Sequence, residues 1–358
     1  MPFELIKPNS NFNFIGNRYK AFAVSGLLVI VSLLSIVYHK GLNLGVDFKG
    51  GLLLQFRLTE DPGAEALREL FSQANFTISS LQSFGETGED ARNQYQNEYL
   101  VNISEGPVSA EGQNLSQLAV EALNKGLGQQ VDVRREEMVG PKVGQDLRQK
   151  ALYAIYYSIL IIIIYISGRF EKKWGTSALF VGILLGVIYL VGLFGVGVGA
   201  LIIVALIVTL VTCYFLQFSF ALGGIIALIH DVIITTGIFS LLNKEITLSF
   251  VAAILTIIGY SLNDSIIVFD RIRENSQKNR KGDYASLINK SINETLSRTI
   301  LTSGTTILAL LSLYFLGGPV NRDFALALLI GIMVGTMSSI FLASPILLLW
   351  EKKKPAKA

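Results

Sequence analysis

The chain is poor in the residues that build redox and metal chemistry. Its 358 residues include one cysteine, Cys213, and two histidines. A single cysteine excludes an intrachain disulfide and leaves the redox compartment unread. No His, Cys, Asp or Glu set stands at a ligand spacing, so neither a metal nor another cofactor is expected. Charge is scarce as well. Asp, Glu, Lys and Arg make up 16% of the chain and the net charge is +3, too small a balance to suggest nucleic acid as a partner. The Lys and Arg residues sit in short blocks beside apolar runs, a pattern that reports orientation in a bilayer.

What is abundant is apolar. Hydrophobic residues reach 51%, and several windows exceed the roughly 20 residues that a helix needs to span hydrocarbon. The chain therefore reads as an α-helical polytopic membrane protein with the lipid bilayer as its solvent. Residues 1–20 read as a cytoplasmic N-terminus, with Lys7, Arg18 and Lys20 preceding the apolar run Ala21–Tyr38. That run is longer than a usual signal-peptide core and no small-x-small site follows it, so it reads as an uncleaved first span.

Residues 41–150 are water-soluble in composition and alternate strand-like and helix-like pieces. Leu52–Leu58, Thr77–Phe84, Tyr95–Ile103 and Gln130–Val139 read as strands. Pro62–Ala74 and Ser109–Leu127 carry apolar residues at helical spacing. The order β-α-β-β-α-β is that of one ferredoxin-like α+β domain, extracytoplasmic if the N-terminus is inside. Gly50 and Gly51 at its entrance predict a tight turn or close backbone approach.

Residues 151–350 form the bundle. Ala151–Ser167 ends at Arg169, Lys172 and Lys173, and the block Arg271, Arg273, Lys278, Arg280, Lys281 is cytoplasmic by the positive-inside rule. Thr176–Ile229 contains no charged residue, and an odd number of spans must join Lys173 to an outer Lys244. Three fit the 1.5 Å rise per residue, at 176–195, 198–217 and 219–241. A re-entrant hairpin remains open, because the turn at Gln217–Ser219 is weakly marked. Ile300–Leu316 and Phe324–Trp350 are the last spans, and 351–358 is a cytoplasmic tail with Lys352, Lys353, Lys354 and Lys357. The total is about eight spans. Trp174 and Trp350 fall at predicted interfaces.

The segment LTIIGYSLNDSIIVFDRIRE, Leu255–Glu274, places Asn263 and Asp264 inside an apolar run. A carboxylate there is expensive and usually functional, and exchange of a proton is the work it suits best. Gly259, Ser261 and Asn263 are mediocre helix formers and would permit a local bend. Arg298 opens the next span and reads either as an interfacial anchor or as a partner for Asp264. His230 and Asp231, midway along another span, form either a relay or a structural pair with neighbours such as Thr235. The run Asp270–Glu274 reads as a solvated helix end with local ion pairs. Gly182/Gly186 and Gly331/Gly335 have the spacing of helix-packing sites. An intramembrane aspartyl protease would use Asp231 and Asp264 as a dyad, but the Gly-x-Gly-Asp context of such proteases is missing.

Five segments resemble the SecF-like members of the SecD/SecF protein-export family: GLNLGVDFKGGLLLQF, VGPKVGQDLRQKAL, FALGGIIALIHDVIIT, LTIIGYSLNDSIIVFDRIREN and INETLSRTILTSGTTIL. The match runs over nearly the whole chain. The resemblance implies a non-enzymatic component of the bacterial cytoplasmic (inner) membrane, in the RND superfamily, with both termini cytoplasmic. It implies a SecD-like subunit, the SecYEG channel, YajC, unfolded exported polypeptides and protons as partners, with the proton-motive force driving late export. Asp264, Arg298 and Asp231 match the family's intramembrane charged positions, with His230 and Asn263 beside them. Family members have six spans, and their RFEW runs almost directly into FALG. Here RFEKKW is separated from QFSFALGG by an inserted pair near 176–217. A small-molecule RND exporter half is the transport alternative, although it would carry two large outer domains, and a scaffold for partner assembly is the remaining one.

Overall fold

A computed structural model describes residues 11–83, 97–107, 115–171, 174–278 and 283–351. Lys7, Lys172, Lys173, Arg280, Lys281, the closing lysines and the polar loop between Ser83 and Asn97 lie outside the described residues, as do the starts of the Tyr95–Ile103 and Ser109–Leu127 segments and the side chain of Trp174.

The chain begins with helix α1 (Arg18–Tyr38) and a short helix α2 (Val46–Lys49). Then come β1 (Gly51–Arg57), α3 (Ala64–Gln73), β2 (Thr77–Ser83), β3 (Glu98–Glu105), α4 (Leu115–Leu127) and β4 (Asp132–Val139). The rest is helical: α5 (Pro141–Ile166), α6 (Trp174–Gly192), α7 (Val198–Phe215), α8 (Ser219–Leu241), α9 (Leu248–Lys278), α10 (Tyr284–Leu316), α11 (Gly318–Ser338) and α12 (Ser344–Glu351). Two π-turns interrupt it, Ser167–Glu171 after α5 and Ser339–Ala343 between α11 and α12.

The sheet has the order β2-β3-β1-β4, and every neighbouring pair is antiparallel. In β1 the alternation buries Leu52, Leu54 and Phe56 and leaves the intervening residues half-exposed, as a strand of period two covered on one face must do. Tyr99, Val101 and Ile103 of β3 join that face, against Leu67 and Phe71 of α3 and Ala119 and Leu123 of α4. The other face of β3 presents Leu100 and Asn102, and these are buried too, because the helical bundle comes up against it.

The sheet is joined to the bundle at the double glycine. Gly50 (φ 82°) and Gly51 (φ 137°) adopt backbone that other residues rarely reach. A Cβ on Gly50 would lie 2.9 Å from Pro141, and one on Gly51 would strike the carbonyl of Ile103. Gly144 of α5 leaves 3.0 Å to the backbone of Gly50. The close approach expected of the Gly pair is therefore present, and it seats α2 against the start of α5.

Six helical segments are long and apolar enough to cross a membrane: Arg18–Tyr38, Pro141–Phe170, Ser219–Leu241, Leu248–Lys278, Tyr284–Leu316 and Asn321–Trp350. The inserted pair contributes two shorter apolar stretches, Ala178–Val191 and Gly199–Phe215, so length and composition support six spans where the sequence suggested eight. The helices outrun the spans read from hydropathy because their polar ends continue past the apolar part. Helix α10 starts at an N-cap, Asp283, whose side chain accepts from the Ser286 amide at 3.0 Å. Arg298 therefore lies about four turns inside α10, not at its opening. Helix α9 runs unbroken through Gly259, Ser261 and Asn263. The local opening that these residues would permit is not seen, and the irregular turns lie at the two π-turns.

Packing explains which glycines matter. Gly331 and Gly335 bring α11 onto α9, where a Cβ would collide with Ile257 or lie 3.1 Å from Ser261. Gly237 of α8 does the same for Ser32 of α1, and Ser35 donates to Ser240 at 3.0 Å. Gly182 and Gly186 have nothing within 4 Å, so within this chain they are not packing sites. Trp350 is buried, edge-on to Tyr214 and donating to Gln217 at 3.2 Å. It locks α12 to the inserted pair and does not serve as the lipid-facing anchor expected of it. The Asp270–Glu274 run does carry local ion pairs, Arg271–Glu274 and Lys278–Glu274, and also reaches other helices through Asp270–Arg169 and Arg271–Glu294.

Gly237→Leu should overpack the α1–α8 contact and cost about 1–3 kcal/mol, read as a lowered thermal midpoint in detergent. Gly186→Leu, facing open space, should leave the midpoint in place or raise it.

Candidate functional site

Apolar helices meet without hydrophobic driving force in lipid, so polar side chains at their crossings govern position. Four helices here, α8 to α11, converge on two fully buried carboxylates. Asp231 on α8 accepts from three donors. These are His230 Nδ1 at 2.9 Å, Ser261 Oγ on α9 at 2.6 Å, and Ser338 Oγ at the end of α11 at 2.9 Å. A donating Nδ1 carries a proton, and Nε2 of the same ring is buried without a partner. The neutral Nδ1–H form fits that arrangement, since an imidazolium would bury a second N–H unpaired. Thr235 donates to the backbone carbonyl of Asp231 at 2.8 Å and does not touch its carboxylate.

Asp264 on α9 is held differently. Ser303 Oγ of α10 and Thr336 Oγ1 of α11 both lie 3.4 Å from its Oδ2, and its Oδ1 has no partner. The two hydroxyls are 2.8 Å from each other, and Thr336 also reaches the carbonyl of Ile332 at 2.8 Å. Each hydroxyl has one proton to give. Two protons cannot serve the carboxylate, the mutual bond and the Ile332 carbonyl together, so the bonds to Asp264 are long. Asp231 is thus a buried carboxyl group with both oxygens partnered, whereas Asp264 is one with spare capacity.

Helix α11 is the shared wall. Gly335 lets it approach until a Cβ there would sit 3.4 Å from Asp231 Oδ2. Thr336 and Ser338 then point one to each carboxylate. The π-turn Ser339–Ala343 follows at once, with Ser339 Oγ on the Thr336 carbonyl at 2.9 Å and Ser344 Oγ on the Ser339 carbonyl at 2.8 Å. Such turns mark places where helix phase changes, often beside functional groups.

Of the five residues singled out from the sequence, the structure brings His230 and Asp231 into contact and sets Asp264 into the same four-helix crossing. Asn263 and Arg298 are exposed on the outer side of α9 and α10. Among the described residues Asn263 makes no side-chain hydrogen bond and Arg298 no ion pair. The guanidinium is near enough for its charge to act on Asp264, but it is not the direct partner that the sequence left open. No hydrogen bond joins the two carboxylates, each of which has its own hydroxyl set, so the shared proton of an aspartyl dyad is not built here. Sequence reasoning missed Ser303, Thr336 and Ser338 and took Ser261 only for a weak helix former. The available signal was hydroxyl density inside apolar helices, in LTSGTT and GTMSS. Among the described residues no cluster of three His, Cys, Asp or Glu could hold a metal.

Comparison with known proteins places this arrangement in context. The family model described as "Protein export membrane protein SecD/SecF, C-terminal" matches residues 119–198 and 196–353, and that of the "SecD/SecF GG Motif" matches 36–61. The chain is 41% identical over 346 residues to the protein translocase subunit SecF of Desulfurispirillum indicum, covering 95% of this chain and 92% of that one. It is 36% identical over 337 residues to the SecF subunit of Escherichia coli O157:H7, covering 94% and 87%. The crystal structure of SecDF, a translocon-associated membrane protein from Thermus thermophilus, superposes with a TM-score of 0.69 at 32% identity over 98% of this chain. This chain spans 40% of the length of that SecDF chain.

Ser338→Ala would strip a close partner from the buried Asp231 carboxyl group and should cost about 1–3 kcal/mol in detergent unfolding. Ser303→Ala should cost less, because it removes a contact to Asp264 already stretched to 3.4 Å and a bond of 2.8 Å between two neutral hydroxyls.

Proposed function

Because this chain belongs to the SecD/SecF protein-export family, whose members are export components and not enzymes, we propose that it is a SecF-like subunit that couples proton entry at Asp264 to late polypeptide export. The observation that carries this reading is the unpaired Oδ1 of a fully buried Asp264, whose other oxygen has only two long contacts, with Ser303 and Thr336. A proton on Oδ1 cancels the buried charge. Ser303 and Thr336 keep their mutual bond of 2.8 Å, while their long contacts to Asp264, which tie α9 to α10 and α11, are relaxed. The π-turn after α11 gives that helix a place to shift. Moving one charge through the membrane supplies about 2.3 kcal/mol per 100 mV, enough to bias two helix arrangements severalfold.

A SecD-like subunit is the partner this reading requires. The outer side of α9 and α10 exposes Thr256, Asn263, Arg298 and Thr305 in a stretch otherwise suited to lipid. An exposed Arg beside an apolar span is costly to leave facing lipid, and a polar helix from a partner removes that cost. The length of the SecDF chain beyond the part matched here supports the same conclusion. The SecYEG channel, YajC and unfolded exported chains complete the partner set, in the bacterial inner membrane with both termini cytoplasmic.

The finer architecture follows. The antiparallel order β2-β3-β1-β4 supports a ferredoxin-like domain on the outer side. The two pieces of the family match meet at 196–198, inside the inserted pair, which supports α6 and α7 as an added hairpin that brings the crossings to eight.

Asp264→Asn is expected to abolish stimulation of late export by an imposed proton gradient in membrane vesicles, with the ATP-driven step intact. Gradient stimulation equal to that of the wild type would remove Asp264 from the mechanism. Cysteines at Asn263 and Thr305 should cross-link to the SecD-like subunit in native membranes, and absence of both products would refute the partner surface.

A further inference from the structure

The turn between α8 and α9 joins the two helices that carry Asp231 and Asp264, and its Glu245 reaches out of the bundle into the sheet. Glu245 is buried, and its Oε2 accepts from Asn102 Nδ2 of β3 at 2.7 Å. Ser80 of β2, which receives the other amide proton of Asn102 at 2.9 Å, also bonds this carboxylate. The backbone is paired beside it. Gly45 donates to the carbonyl of Ile246 at 2.9 Å, and Ile246 donates to that of Asn43 at 2.7 Å. Asp47 of α2 caps α9 through the Leu248 amide at 2.8 Å. Yet Oε1 of Glu245 and Oδ1 of Asn102 are both buried with no partner. A buried carboxylate oxygen without a donor is a place where a proton would relieve the cost of burial.

We propose that Glu245 is a proton-operated latch that docks the outer sheet onto the α8–α9 turn when protonated and loosens it when ionised. The charged groups around it fit that role. Lys49 of α2 favours the anion and Asp323 of α11 opposes it, while Lys244 of the same turn holds Asp323 at 2.8 Å. Asp47 is occupied with its cap, and β2 and β3 offer only the neutral Ser80 and Asn102. Burial pushes the Glu245 carboxyl above its ordinary range, outweighing those two hydrogen bonds. The sign follows from linkage. Undocking returns the group to water and to an ordinary glutamate value, so the docked state holds the proton more tightly. Docking is therefore strongest below the ordinary glutamate range and weakens as pH rises through the raised value.

The latch is separate from proton transfer at Asp264, and its experiment measures a distance and not export, so either idea can fail alone. Nitroxide labels on Glu105→Cys at the end of β3 and Leu242→Cys in the turn, with Cys213→Ala, report the separation in the full chain in lipid nanodiscs. Between pH 5 and pH 8 the wild-type background should lose its narrow distance population, and the Glu245→Gln background should keep it at both. An unchanged wild-type distribution across that range would overturn the proposal without reference to any variant, and so would a Glu245→Gln distribution that broadens with pH as the wild type does.

Discussion

The architecture depends on the cost of placing a carboxylate where water cannot reach it. A buried carboxyl group must be met by polar partners, and in this bundle of apolar helices most of them are hydroxyls on neighbouring helices, with His230 added at Asp231. Asp231 draws Ser261 and Ser338 to it, and Asp264 draws Ser303 and Thr336. Because α11 serves both, its position answers to two charges at once. The glycines on its inner face are the steric condition for this, since any side chain at Gly331 or Gly335 would push α11 away from α9.

The two carboxylates divide the labour through their donors. Three short hydrogen bonds make Asp231 a fixed point for α8, α9 and α11. Asp264 shares its hydroxyls with each other and with a backbone carbonyl, so its environment can rearrange at little cost. The difference between the two sites is thus one of available donors, since both use the same kind of residue.

The sheet is not an independent attachment. Gly50, Gly51 and Gly144 pack its entrance against the start of α5, and Glu245 inserts a second polar group between sheet and bundle. Both connections end on helices of the bundle, one of them through the turn that joins the two aspartate-bearing helices. The pair α6 and α7 lies elsewhere, held by Trp350 against Tyr214 and Gln217 and by Phe180 against Phe218. It leaves the contacts of Asp231 and Asp264 among α8 to α11.

Hydropathy, charge blocks and strand alternation alone determined that this is a membrane-embedded helical chain with a small α/β unit after the first helix. They also isolated Asp264 and Asp231, because a charge in an apolar run is visible locally. Helix ends were less legible. The α10 start at Asp283 lies in polar sequence, where hydropathy is silent, and Arg298 was therefore placed at an opening instead of deep within the helix. Only the tertiary structure decided which hydroxyls meet which carboxylate, that Arg298 and Asn263 face outward, and that Glu245 reaches Asn102 across 143 positions of sequence. Those facts depend on how helices rotate about their axes when packed, and rotation is set by contacts between distant segments that no local pattern encodes.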